Sequence, residues 1–325
     1  MASEAAARGP VIDVHTHLGR ERFALTIQVM ERVGLQTMVN LSGGFGEGLR
    51  QTLAEAERFP GRFVTFCGVD FSGIDEADFG EKQAKELRRS AEAGAQGLKI
   101  FKSLGLRLRD RSGQLLAVDD PRLDPLWEEA GELGLPVLIH TADPADFWKP
   151  VTPENPFYHT LQARPEWSYF GTDIPPHREL LYQRDRVVER HSETTFVAAH
   201  MGDAVEDLEY LACELDKNPH LFLDTSARLN RLGSSKDLRE VRNFFLNYQD
   251  RLLFGTDCGA NFRSQADLPQ MEEFYRRHWS FFETAERGFL APFTNDWHID
   301  GINLPKEVLR KLYWENARRL LKLAG

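Results

Sequence analysis

The chain has 325 residues, 42% of them hydrophobic and 11% aromatic, which suffices for one large buried core. Its 50 acidic residues outnumber 40 basic ones, for a net charge of −10. An acidic surface repels phosphate backbones and anionic lipid, so the expected partner is a small-molecule substrate rather than nucleic acid or membrane.

Residues 1–10 carry no apolar stretch of the kind a secretory signal needs and read as a short flexible leader. A repeating pattern follows, in which a short apolar or β-branched run ends in polar or small residues and gives way to a helical period. The first runs are 11–17 (VIDVHTH), 37–42 and 62–69, and a helix is predicted over 76–93. Next come a strand at 97–102 (GLKIFK), a helix over 121–133 and a strand at 136–141 (PVLIHT). Pro121 opens that helix, and Gly134 closes it with the left-handed conformation only glycine adopts freely. Residues 142–177, rich in proline and aromatics, form a long connection after strand five. Strands at 194–200 (TTFVAAH), 221–226 (LFLDTS) and 251–257 (RLLFGTD) alternate with helices over 204–217 and 234–248. A second long aromatic connection, 258–304, precedes a closing helix over 305–322.

Eight strand–helix units predict an α/β fold, a (β/α)8 TIM barrel with long loops after strands 5 and 8, as one domain over residues 1–325. Nearly continuous apolar strands are what a parallel sheet covered on both sides requires. The competing fold, an open doubly wound sheet, expects a glycine-rich phosphate loop after its first strand. The sequence there is His15-Thr-His-Leu-Gly19 instead. Cys67, Cys213 and Cys258 are odd in number and widely spaced, so no disulfide framework follows, and a cytoplasmic location is the economical expectation.

His15 and His17 are two apart on a strand, and side chains at i and i+2 share a face. Asp13 lies one step deeper on that expected face, placed to orient one histidine. Strand five ends at His140, strand six at His200 and strand eight at Asp257. The C-terminal ends of barrel strands are where active sites are built, and imidazole with carboxylate suits zinc or another first-row divalent ion. The other histidines fall in predicted helices or loops, where they are more often surface or core residues.

The string VIDVHTH, histidines ending strands five and six, and GTD ending strand eight resemble the amidohydrolase superfamily. Within it the chain looks like the branch that includes aminocarboxymuconate-semialdehyde decarboxylase. The likeness runs over roughly residues 11–322 and takes in Trp314-Glu-Asn-Ala317 of the closing helix. It implies a divalent metal, most simply one Zn²⁺, held by His15, His17, His140 and Asp257. It also implies that His200 polarises substrate or activates water, with Asp257 doubling as the acid/base. Lys99 occupies the strand-four position where binuclear members carry a carboxylated lysine. If Lys99 were so modified, it would bridge to a second ion bound by His140 and His200; as an ammonium it pairs with a carboxylate or a substrate anion.

Arg228 and Arg164, with Lys99, are the candidate substrate contacts, since an arginine clamps a carboxylate with two parallel bonds. Arg107 and Arg109 sit in loops on the same side. The aromatic connections read either as a lid or as packing, and the resemblance implies a homodimer or higher homo-oligomer. Hydrolysis of a small carboxylated or cyclic substrate is the leading expectation. Non-oxidative decarboxylation at the same site is the alternative, and a binding protein on a decayed barrel is disfavoured because every ligand position is filled.

Overall fold

The computed structural model describes residues 8–259, 262–294 and 297–323; residues 1–7 of the expected leader lie outside them. Eight short parallel strands occur in chain order: β1 (Ile12–Thr16), β2 (Thr37–Asn40), β3 (Phe63–Thr65), β4 (Leu98–Ile100), β5 (Val137–Ile139), β6 (Phe196–Ala198), β7 (Leu221–Asp224) and β8 (Leu252–Leu253). Each lies inside a predicted run. They pair as two parallel ladders, β1-β2-β3 and β4 through β8 in sequence. Single parallel bridges join the ladders at both seams, Cys67↔Leu98 and Thr16↔Cys258. Backbone hydrogen bonds reinforce them, from Cys67 N to Gly97 O at 2.9 Å and from Val14 N to Phe254 O at 2.9 Å. The architecture is a (β/α)8 barrel.

Helices cover the ring: α1 (Phe23–Val33), α2 (Gly46–Glu57), α3 (Phe79–Glu92), α4 (Asp124–Leu133), α5 (His177–Arg190), α6 (Leu208–Lys217) and α7 (Leu238–Asn247). Their boundaries follow local chemistry. Asp207 and Asp237 accept backbone N–H groups at the starts of α6 and α7. Gly134 ends α4 at φ 59°, as predicted from Gly and Pro punctuation.

Alternate strand residues divide into two apolar layers. Leu98, Ile100, Val137, Ile139 and Phe196 pack outward with helix residues such as Leu87, Trp127 and Leu180. Val64, Leu138, Val197 and Leu253 fill the interior together with Ala317 of the closing helix and Leu321 just after it. That helix, Lys306–Arg310 continuing through a π-turn at Lys311–Glu315 into Asn316–Leu320, thus plugs one end of the barrel. The other end, at the C-termini of the strands, carries the two long connections. The first contains one short helix, Tyr158–Ala163, between two 3-10 turns, whereas the second contains α8 (Leu268–Glu283) and a two-stranded hairpin pairing 289–290 with 298–299. No helix among the described residues is long and apolar enough to cross a membrane.

Candidate metal centre at the barrel mouth

The β1–β2 register shifts between Asp13 and Thr16, a bulge that breaks strict alternation. Its consequence is visible at Asp13. Its carboxylate does not reach a histidine ring; it accepts the backbone N–H of His15 (3.1 Å), the Thr256 hydroxyl (2.6 Å) and the hydroxyl of Tyr275 on α8 (2.7 Å). Asp13 therefore ties β1 to the turn after β8, and burial raises its carboxyl to about 6.

Beyond the bulge His15 turns to the mouth. Its Nδ1–H donates to Asp224 Oδ2 at 2.8 Å, which leaves Nε2 buried with no hydrogen-bond partner. His17 Nδ1 meets Ser42 Oγ at 2.9 Å. The free edges of both rings converge on Asp257 Oδ1, at 3.7 Å from His15 Nε2 and 3.4 Å from His17 Nε2. One ligand atom from each of the three residues lies within 4.8 Å of the others.

Asp257 reaches this position on a strained backbone, at φ 63°, where an L-residue with a Cβ is disfavoured. Its N–H donates to His15 O at 2.7 Å and holds the turn. Gly259 explains how the chain passes so close, because a Cβ there would sit 1.9 Å from His17 O. Burial raises the Asp257 carboxyl pKa, with His15 and Lys99 opposing. The His17 imidazole is held well below its usual range by burial and by His15 and Lys99.

His140 and His200 form a second focus. His140 Nε2–H donates to Ala142 O at 2.8 Å, and His200 Nδ1 faces both Ser226 O (3.1 Å) and Ser226 Oγ (2.8 Å). Carbonyls only accept, so the remaining nitrogens, His140 Nδ1 and His200 Nε2, carry lone pairs when the rings are neutral. They face each other at 3.3 Å. Burial keeps both rings far below their usual pKa, helped at His140 by His200 and Lys99 and at His200 by Arg228 and His15. Opposed lone pairs at that distance repel, and only a donor or a cation placed against both relieves them. His200 through Asp203 run at positive φ, another strained segment at the mouth.

Lys99 lies inside the barrel, 1% exposed, and its Nζ has no hydrogen-bond partner among the described residues. Burial lowers it to about 8 against the pull of Asp224 and Asp257. Above these residues opens a cavity of 660 Å³, lined by His140, His200, Asp257, Arg228 and Lys102 and walled by Phe157, Trp167 and Trp297. Arg228 donates to Asp203 Oδ1 (2.7 Å), and Lys102 Nζ donates to both oxygens of Asp143 (2.6 and 2.7 Å). Arg164 is exposed, 5.7 Å from the Trp167 ring, and pairs with Glu166 at 3.8 Å. Arg107 and Arg109 are exposed as well, and Arg109 pairs with Asp173.

The structure thus brings His15, His17 and Asp257 together. It stands His140 against His200 and puts Arg228, but not Arg164, on the cavity wall. Sequence reasoning missed Lys102, Asp143, Asp224 and Ser226. Asp224 had a signal, because a carboxylate ending the apolar strand LFLD is costly unless paired.

The residues present fit a divalent ion. Two imidazoles and a carboxylate are a suitable donor set, and His15 Nε2 is a buried lone pair that nothing among the described residues satisfies. The sequence profile of the amidohydrolase family matches residues 49–323, a span that begins after His15 and His17. No curated protein matches the chain. Among solved structures, the chain is similar to 2,6-dihydroxybenzoate decarboxylase from Rhizobium (16% identity, TM-score 0.57, covering 97% of this chain and 99% of that one). It is also similar to a probable 2-pyrone-4,6-dicarboxylic acid hydrolase from Acinetobacter baumannii (13%, 0.56, 96% and 99%). A third is dihydroorotase from Campylobacter jejuni (12%, 0.51, 97% and 84%). At such identities the likeness is one of fold.

Proposed function

This chain belongs to the amidohydrolase family, and from that premise we propose that it is a metal-dependent enzyme hydrolysing a small carboxylated or cyclic organic substrate. The observation that carries the reading is the convergence of His15 Nε2, His17 Nε2 and Asp257 Oδ1, with the first of these buried and unsatisfied. These three residues would hold the ion, His140 completing the expected set, and zinc is the first metal to test. When bound, such an ion polarises a scissile carbonyl and lowers the pKa of water toward ~7.

The protein's own groups do the rest. Asp257, whose carboxyl is raised by burial, takes and returns the proton. His200 presents Nε2 to the cavity as an acceptor and, once protonated, as a donor to a developing oxyanion. Arg228 and Lys102 orient an anionic substrate, and the aromatic walls exclude water. The proposal includes a cytoplasmic, single-domain protein acting as a homo-oligomer.

Decarboxylation remains the second reading, and the unpartnered Lys99 amine favours it, since an ammonium there suits one ion and a carboxylate substrate. Amides, lactones and carboxylic acids assayed side by side separate the two. Release of carbon dioxide with solvent deuterium entering the product identifies decarboxylation; product carrying solvent oxygen identifies hydrolysis. An Asp257→Asn variant that keeps both metal and turnover would overturn the proton-transfer role.

A further inference from the structure

Outside the expected ligand set, the densest polar cluster at the mouth is built on the end of β7. Asp224 is fully buried, and both its oxygens accept hydrogen bonds. Oδ2 accepts His15 Nδ1–H at 2.8 Å. Oδ1 accepts the backbone N–H of His200 (3.1 Å), the backbone N–H of Ser226 (2.9 Å) and the Ser226 hydroxyl, which is in close contact. With its proton committed to Asp224, Ser226 Oγ turns lone pairs toward both His15 Nδ1 (3.0 Å) and His200 Nδ1 (2.8 Å). His15, His200 and Asp224 could also be read as a cation site. The serine hydroxyl already occupies the space between them, so hydrogen bonds account for the cluster without an ion.

We propose that Asp224 is a positioning residue that fixes the tautomer of His15, and that Ser226 ties His200 to the same carboxylate. The inference rests on reading His15, His17 and Asp257 as the metal centre. A histidine can ligate through Nε2 only if its proton sits on Nδ1, and a carboxylate facing Nδ1 enforces that choice. One buried carboxylate thereby sets the ring that would hold the ion, on strand β1, and the ring that faces the substrate, just past strand β6.

The isosteric change Asp224→Asn separates this from simple packing. If the amide oxygen keeps the two N–H groups and the serine hydroxyl, its NH₂ faces His15 Nδ1 and forces the proton onto Nε2, where it blocks a ligand. A carboxylate-to-amide change imposes the wrong tautomer in other carboxylate–imidazole pairs. The flipped amide sets its NH₂ against three donors instead.

The experiment has three arms on the full chain: Zn²⁺ affinity by chelator competition for wild type, Asp224→Asn and Ser226→Ala, with histidine ¹⁵N shifts of the metal-free proteins. Wild-type His15 should be Nδ1–H. In Asp224→Asn it should shift to Nε2–H, with Zn²⁺ affinity falling about 10–100-fold. Ser226→Ala keeps the His15–Asp224 bond and should stay within about threefold of wild type. A wild-type His15 protonated on Nε2 overturns the proposal without any variant. So does unchanged affinity in Asp224→Asn, or an equal loss in Ser226→Ala, which would mean general collapse of the pocket. Wild type that binds no Zn²⁺ removes the metal-centre reading itself, a different failure.

Discussion

The two ends of the barrel are built on opposite terms. At the closed end, Asn316 is fully buried, and its amide donates to Gln249 O (2.7 Å) and Leu252 O (2.9 Å). Ala317 and Leu321 complete the interior apolar layer there. At the mouth, His200 and Asp257 sit at positive φ, and His15 Nε2 and Lys99 Nζ are buried without hydrogen-bond partners among the described residues. Strain and unmet polar groups cost stability, so a fold keeps them only where the surroundings over-determine them. The closed end holds the barrel together, while the mouth carries strain and unmet polar groups of the kind a bound ligand would relieve.

The hardest test of that division is Asp257→Asn. Turnover should fall by ~10³-fold or more while thermal stability stays close to wild type, measured by steady-state kinetics and calorimetry on the same preparation. A large loss of stability would erase the contrast between the ends.

The framework should carry its own pH dependence. His278 on α8 is buried, donates Nδ1–H to Phe274 O at 2.8 Å, and is lowered by burial to about 4. Its folded pKa lies below the unfolded value near 6.5, so its contribution is complete above pH 6.5 and is lost as pH falls toward 4. That amounts to about 3 kcal/mol, read from urea unfolding across the window and flattened in His278→Gln.

Asn316→Ala should remove about 2 kcal/mol from stability by stranding two buried carbonyls, and leave the kinetic constants within about twofold. An effect on kcat larger than that on stability would join the two ends again. Smallest of all, Arg164→Ala should change KM less than about twofold, because that guanidinium is exposed and off the cavity wall.

The sequence made the barrel legible because each strand ends in its own punctuation, and its register of apolar residues is local. His15, His17, His140, His200 and Asp257 were legible as strand-end residues for the same reason. What escaped was set by long-range contact. Asp224 meets His15 across 209 positions, and no local period announces that pairing. Asp13 was expected beside a histidine, but the bulge in β1 sent its carboxylate to Thr256 and Tyr275. The orientation of His140 depends on the Ala142 carbonyl, a loop geometry that side-chain spacing does not encode.

The proposed divalent ion would sit at the mouth on His15, His17 and Asp257. Metal content per chain, measured by elemental analysis of chelator-free wild type and His17→Asn, tests it most directly. About one equivalent is expected in wild type and near none in the variant. No metal in wild type, or the same content in both, would contradict it.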